Sequence, residues 1–262
     1  MSTTPEQKNT TLQKPSLVRG WIKTLFDLAC ILLVMSLAKT AIAEPYYVPS
    51  GSMEPTLMIG DELLAAKYAY GYSTASLPLF MTLPDSKRVM GKLPLRGDVV
   101  VFRWPGDHSQ IWVKRVIGLP GDRIAVHAGR VSINGEPVGL KPMGEGQAEN
   151  EDGSQMPAQR FVETLPGNRE HAVFKLVAHS PYDDMSEITV PPDHLFVMGD
   201  NRDNSADSRV PLRAGGVGLL PVADLVGQVD AVIGSWDLGM KSQPIWTWPS
   251  GLRLARFFTS VQ

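Results

Sequence analysis

Residues 98–117 read Asp-Val-Val-Val-Phe-Arg-Trp-Pro-Gly-Asp-His-Ser-Gln-Ile-Trp-Val-Lys-Arg-Val-Ile, and this stretch decides the fold class. Two runs rich in β-branched and aromatic residues, 98–103 and 110–117, flank the turn signal Pro105-Gly106. Short runs of this composition that are bounded by glycine and proline predict β-strands. Comparable runs recur at 123–127, 130–133, 194–198 and 225–233, whereas helical periodicity after residue 43 is weak except near the C-terminus. The sequence therefore predicts a mainly β fold.

Asn134-Gly135 is a strong hairpin signal, because both central residues of a type I′ turn need a positive φ. It follows the predicted hairpin 123–133 and precedes a polar, loop-rich segment. We predict that this segment, 135–192, is a small β-subdomain inserted between the two halves of a core domain, 44–134 and 193–262.

The N-terminal region divides into a basic, polar segment, 1–23, and a mostly apolar one, 24–43, with Asp27 and Lys39 near the ends of the latter. Twenty helical residues span about 30 Å, the thickness of a bilayer core. We predict one transmembrane helix over 24–43, preceded by a cytoplasmic tail, because the basic flank favours that side. A signal peptide cleaved after Ala41-Ile42-Ala43 and a buried soluble helix are the alternatives.

Composition excludes several kinds of site. The 262 residues include one cysteine, which rules out an intramolecular disulfide, a zinc site of several thiolates and a cysteine-held iron–sulfur cluster. The net charge of −2 gives no reason to expect nucleic acid as a partner. The five histidines stand in no metal-ligand or G-x-S-x-G pattern, so we expect them on the surface or in loops and expect no metal site.

Residues 46–57, Tyr-Tyr-Val-Pro-Ser-Gly-Ser-Met-Glu-Pro-Thr-Leu, are the first candidate for chemistry. Pro49 and Pro55 fix φ and remove two backbone donors, while Gly51 permits a sharp bend. A backbone held in this way can expose a serine hydroxyl and direct an N–H group at a bound carbonyl. The alternative is a plain turn between the apolar segment and the core domain.

Lys114 is the second candidate, because alternation along a strand puts its side chain in phase with Trp112 and Val116. Burial between apolar neighbours lowers a lysine pKa. A neutral amine can deprotonate a serine, which is the Ser-Lys form of nucleophile activation. The alternative is that Lys114 and Arg115 form a solvated pair at a strand edge.

Residues 198–209, Met-Gly-Asp-Asn-Arg-Asp-Asn-Ser-Ala-Asp-Ser-Arg, are the third candidate. Alternating Asp and Asn occur in calcium loops, but the glycine at the sixth position and the glutamate at the twelfth position of an EF-hand are missing. We predict a hydrogen-bonded, ion-paired loop that braces an adjacent site.

Together with residues 95–102, these three segments resemble the sequence boxes of bacterial type I signal peptidases, which are membrane-anchored Ser-Lys proteases. The matching motifs are, in chain order, Ser-Gly-Ser-Met-x-Pro-Thr-Leu, Lys-Arg-x-x-Gly-x-Pro-Gly-Asp and Gly-Asp-Asn-Arg-Asp-Asn-Ser-x-Asp-Ser-Arg. The resemblance covers the apolar segment and most of 44–134 and 194–236. It implies a β-sheet catalytic core with an inserted small β-subdomain.

The resemblance also implies a role for each matching position. Ser52 corresponds to the nucleophile, Lys114 to the general base and Ser50 to a side-chain donor that stabilises the oxyanion. Ser205 corresponds to the hydroxyl that orients the lysine amine. Asp207 and Arg209 correspond to a supporting ion pair, and Asp200 to the same brace. The implied substrate-binding positions are Tyr46, Val48, Pro49, Met53, Leu57, Trp112 and Val113, with Trp112 standing where some members have tyrosine.

The implied activity is removal of N-terminal signal peptides from secretory preproteins by a membrane-bound serine endopeptidase that cuts after small-x-small (A-x-A) sites without a cofactor. The implied location is the bacterial inner (plasma) membrane, single-pass, with the catalytic domain on the periplasmic or extracytoplasmic side and membrane lipid as a second partner. A peptidase dedicated to one substrate and a non-catalytic peptide-binding domain are the alternatives. The tryptophans and basic, apolar residues of 236–258 fit either a membrane headgroup zone or a tail packed on the domain.

Overall fold

A computed structural model describes residues 17–73, 75, 91–150 and 152–261, so residues 1–16 of the predicted tail lie outside it. The described residues form one α-helix, α1 (Leu17–Ile42), and a series of short strands. The strands are β1 (Ala43–Tyr47), β2 (Asp61–Ala66), β3 (Val99–Trp104), β4 (Asp107–Gly118), β5 (Arg123–His127), β6 (Arg130–Ile133), β7 (Glu136–Pro137), β8 (Gly139–Glu149), β9 (Gln155–Leu165), β10 (Arg169–Lys175), β11 (Met185–Thr189), β12 (His194–Met198), β13 (Leu220–Pro221), β14 (Leu225–Ser235) and β15 (Thr259–Ser260). The predicted mainly β class is confirmed.

Helix α1 belongs almost entirely to the first of two units into which the chain divides, with the boundary at Lys39. It begins at Leu17, ahead of the predicted start at residue 24. Described side chains along it, such as Trp21, Phe26 and Ile31, are exposed. Within the described residues, no helix has both the length and the hydropathy that crossing a membrane requires.

The largest sheet runs in the order β1-β2-β14-β3-β4-β12-β13, and β15 pairs with β14. The predicted strands 98–103 and 110–117 form its central hairpin, β3-β4, with Val100 opposite Lys114. Alternation along β3 sends Val99 and Val101 into one apolar core and Val100 and Phe102 into another. Because both faces of this sheet are covered, the first four residues of the strand, Val99–Phe102, are all apolar, as is typical of strands buried on both faces.

Two smaller sheets follow. One has the order β11-β5-β6-β7, and Asn134 and Gly135 both have the positive φ that the predicted type I′ turn needs. The other, β10-β9-β8, is formed by strands that lie in the chain between β7 and β11, and we call it the inserted sheet. It is shorter than the predicted 135–192, because Glu136-Pro137 pairs with β6 and Met185–Thr189 pairs with β5. The C-terminal periodicity corresponds to short 3-10 helices rather than to an α-helix.

Candidate active site

The first candidate segment forms a tight turn between β1 and β2. Gly51–Met53 is a single 3-10 turn, closed by bonds from Glu54 N to Gly51 O and from Leu57 N to Met53 O. The loop after β12 holds the same turn from the other side, since Asn201 N donates to Ser52 O at 3.1 Å. We refer to residues 51–57, which contain the predicted nucleophile Ser52, as the nucleophile turn.

Two glycines make this close packing possible. A Cβ on Gly51 would lie 3.0 Å from Glu149 O, and one on Gly199 would lie 2.4 Å from Ser52 O and 2.3 Å from Ser205 Oγ. The position of Gly199 has no room for a Cβ, and at Gly51 the neighbouring backbone would have to shift by a few tenths of an ångström. Both glycines therefore permit close backbone approach, which is one of the uses of a residue without a side chain.

Strand β4 brings Lys114 to the nucleophile turn. Lys114 Nζ lies 2.9 Å from Ser52 Oγ and also donates to Val113 O at 3.0 Å. Only 4% of Lys114 and 9% of Ser52 are exposed. Arg115 is buried as well, on the opposite face of β4, so the solvated Lys114–Arg115 pair considered above is wrong.

Burial sets the basicity of the amine. It lowers the pKa of Lys114 from 10.5 to about 8, against the opposing effect of the Asp207 and Asp200 carboxylates. The face of the Trp112 indole lies 5.6 Å from Nζ and stacks in turn on Trp104, 5.1 Å away and nearly parallel. At neutral pH a useful fraction of Lys114 is thus an uncharged base.

Asp200 lies directly behind the lysine strand. Its carboxylate accepts two bonds from the Arg115 guanidinium, at 2.8 and 2.7 Å, and one from the Thr56 hydroxyl of the nucleophile turn. Burial alone would raise the pKa of Asp200, but Arg115 holds it below its usual range. The predicted brace therefore joins the loop of residues 199–209 to both the nucleophile turn and β4.

Asp207 and Arg209 form the expected pair. The Asp207 carboxylate accepts bonds from Arg209 Nε and Nη2, at 2.9 and 2.8 Å, and from Gly199 N at 3.0 Å. Ser205 differs from the expectation. Its buried hydroxyl has no hydrogen-bond partner among the described residues, so it makes no bond to the Lys114 amine in this structure.

The inserted sheet contributes charged residues that sequence reasoning missed. Glu163 on β9 forms a buried, bidentate pair with Arg202, and the Glu163 pKa is held well below its usual range despite burial, which would raise it. His171 on β10 is buried with Nε2 3.3 Å from Glu163 and 3.8 Å from Asp200, so it does not lie on the surface as expected. No sequence signal distinguishes these residues, because their partners are far away along the chain.

A cavity of about 490 Å³ opens beside Ser52 and Lys114. Eight predicted positions line it, namely Tyr46, Val48, Pro49, Ser50, Ser52, Trp112, Val113 and Lys114. Sequence reasoning missed other lining residues, including Tyr47, Leu63, Val101, Gln110, Ile111, Asn204 and Ala206. Met53 and Leu57 do not line it; both are fully buried in the core under the turn.

The cavity lies between two strands that each have an unpaired side. In the described sheets, β1 pairs only with β2, and β12 covers β4 only from Arg115 onward. The first half of β4, up to Lys114, is therefore open on the side away from β3. An extended peptide can form main-chain hydrogen bonds with such an edge, which is how β-strand addition works.

The C-terminal segment, residues 236–258, packs on the nucleophile turn and on the loop that follows this turn. Arg256 Nη2 donates to Thr56 O at 3.0 Å, and Arg253 Nη1 donates to Ile59 O at 2.7 Å. Trp246, Leu254 and Phe258 on the same segment are largely exposed. The packed tail is therefore observed, and it carries an exposed apolar surface as well.

The chain matches the family described as signal peptidase, peptidase S26, over residues 18–236. The chain belongs to the signal peptidase family. It is 36% identical to signal peptidase I of Rickettsia typhi over 88% of this chain and 89% of that protein, and 37% identical to signal peptidase I of Pseudomonas aeruginosa over 89% and 78%. A crystal structure of a signal peptidase I from Enterococcus faecalis is similar over 53% of this chain and 97% of that chain, with 24% identity and a TM-score of 0.31.

Proposed function

We propose that Ser52 and Lys114 are the catalytic dyad with which this signal peptidase, a serine endopeptidase, removes signal peptides from preproteins. The observation that carries the proposal is the 2.9 Å contact between a buried lysine amine and the serine hydroxyl. The amine sits in the environment that lowers its pKa toward the working range of a base. No other described residue near Ser52 needs to act as the base.

The steps follow from these positions. Neutral Lys114 Nζ takes the proton of Ser52 Oγ, and the oxygen attacks the carbonyl carbon of the scissile bond. The Ser50 hydroxyl, which makes no capping bond to the turn, and the Ser52 backbone N–H stabilise the resulting oxyanion. The Lys114 ammonium then protonates the leaving amine and becomes neutral again. The neutral Lys114 amine next takes a proton from a water molecule, which hydrolyses the acyl-enzyme ester.

Substrate selection is proposed to follow from the cavity between β1 and β4. Its wall is mostly apolar, and Leu63, Val101 and Ile111 are among the residues that line it. An apolar wall suits small aliphatic side chains before the scissile bond, which supports cutting after small-x-small sites in secretory preproteins. Main-chain pairing with an open strand edge tolerates the variable residue between them.

Membrane attachment is the remaining part of the proposal. It is supported by the apolar sequence 24–43, by the exposed apolar side chains of α1 and by the exposed Trp246, Leu254 and Phe258, which suit a lipid interface. We place residues 44–262 on the extracytoplasmic side of the bacterial inner membrane. Sequencing the N-terminus of the purified mature protein tests the anchor, and a start at Glu44 would show that 24–43 is a removed signal peptide instead.

The dyad is tested with detergent-solubilised protein and several unrelated preproteins. We expect Ser52→Ala and Lys114→Met to abolish cleavage while the proteins stay folded by circular dichroism. The control Lys141→Met removes an exposed lysine from β8 and keeps full activity. Cleavage of all preproteins after A-x-A supports general processing, cleavage of one supports a dedicated peptidase, and normal activity of Ser52→Ala would falsify the dyad.

A further inference from the structure

Glu54 is a buried carboxyl group that the proposed chemistry does not use. It directly follows the 3-10 turn of Ser52, and only 2% of the residue is exposed. Its Oε2 accepts a hydrogen bond of 3.0 Å from the backbone N–H of Glu149, at the end of β8 in the inserted sheet. This bond joins residues that lie 95 positions apart in the chain.

The same two groups enclose Gly51. A Cβ on Gly51 would lie 3.0 Å from the Glu149 carbonyl oxygen and 3.2 Å from Glu54 Oε2. The backbone of Glu149 thus lies close to the nucleophile turn at two points: its N–H group donates to Glu54, and its oxygen would be in tight contact with any Cβ at position 51. If the Glu54 oxygen were withdrawn, the Glu149 N–H would be left buried without its acceptor, and such a group costs free energy.

Three charged groups face Glu54 from the elements packed on it. The Glu149 carboxylate comes from β8, and Arg253 and Arg256 come from the C-terminal segment. Arg253 Nη2 binds the Glu149 carboxylate at 3.0 Å. Burial, together with the Glu149 carboxylate, raises the pKa of Glu54 from 4.5 to about 7, although the Glu149 N–H and the two arginines act in the other direction. The protein therefore keeps a carboxyl group where ionisation is unfavourable.

We propose that Glu54 is a positioning residue, whose side-chain oxygen fixes the nucleophile turn against β8 and so holds Ser52 in line with Lys114. The inference rests on the proposed role of Ser52 as nucleophile. It assigns the inserted sheet a part in catalysis, because β8 supplies the donor that Glu54 binds. A group that acts in this way affects the rate of the chemical step more than the binding of the substrate.

The test uses the full chain in detergent and a quenched fluorescent peptide with an A-x-A site, assayed at pH 8. Glu54→Gln keeps an oxygen acceptor in place, Glu54→Leu removes it, and Glu54→Asp withdraws it by one methylene. We expect Gln to retain kcat within about threefold, and Leu and Asp to lower kcat about tenfold or more while KM changes less than twofold. The matched control Glu62→Leu, an exposed carboxylate on β2, keeps wild-type kcat.

Thermal unfolding of each variant confirms that it is folded at the assay temperature. Wild-type kcat for both Leu and Asp would overturn the proposal, and so would an equal loss for Gln, because the acceptor would then not be what matters. If Leu does not fold, the comparison of Gln with Asp decides. Ser52→Ala is measured in parallel: residual activity there contradicts the dyad itself, whereas an inactive Ser52→Ala with normal Glu54 variants contradicts only the positioning role.

Discussion

Lowering the pH from 8 to 6 should reduce kcat/KM about fiftyfold, because Lys114, as the proposed general base, must be neutral to accept the proton of Ser52. Burial lowers the pKa of this amine from 10.5 to about 8, a change that corresponds to about 3 kcal/mol. With that pKa about half of the enzyme carries a neutral amine at pH 8 and about 1% at pH 6. A lysine with an ordinary pKa would be less than about 1% neutral even at pH 8.

The assay is kcat/KM for a quenched peptide substrate from pH 6 to 10, since this ratio reports ionisations of the free enzyme. We expect a slope of one at low pH and a plateau above about pH 9. Lys114→Arg should be inactive throughout, because a guanidinium stays protonated. A rate that keeps rising tenfold per pH unit beyond pH 9.5, or one that does not depend on pH, would refute the argument from burial.

Three further predictions follow from buried contacts. Lys114→Met should raise the melting temperature at pH 6 to 7, where the folded wild type has to bury an ammonium group. This gain should shrink as the pH rises from 8 to 10.5, because the folded wild-type amine is already neutral there while the unfolded one is still charged. An equal gain at all pH values would contradict this prediction. Gly51→Ala should reduce kcat about tenfold to a hundredfold in a folded protein, since its Cβ would press on Glu149 O. An unchanged kcat would show that β8 moves to make room for the methyl group without displacing Ser52. Glu163→Gln should lower the free energy of unfolding, measured in urea, by about 3–5 kcal/mol, because it leaves the Arg202 charge buried without its partner. A loss below about 1 kcal/mol would mean that water solvates the Arg202 guanidinium in the variant.

The sequence predicts the strands well where local chemistry decides them. Apolar runs bounded by glycine and proline predict β3, β4, β5, β6 and β12 to within a few residues, and Asn134-Gly135 predicts its turn. Alternation also puts Lys114 in phase with Trp112. It cannot show that Arg115 is buried, because on a sheet with two covered faces both phases of a strand point inward.

The rest of the site depends on contacts between distant segments. Glu163 meets Arg202 only because β10 lies against the loop after β12, where Phe174 N donates to Asp200 O. The pairing of Glu54 with Glu149 likewise needs the inserted sheet to fold back on the nucleophile turn. The motif predicts that Met53 lines a substrate pocket, but the direction of its side chain is set by the core beneath the turn.

The two arginines of the C-terminal segment have a consequence for the timing of assembly. Arg256 holds the carbonyl of Thr56, which precedes it by 200 residues, and Arg253 holds that of Ile59. During synthesis, the serine and the lysine leave the ribosome long before these guanidinium groups do. A nascent chain that already contains both Ser52 and Lys114 therefore still lacks the two arginine bonds that hold the turn and the loop after it in the folded protein.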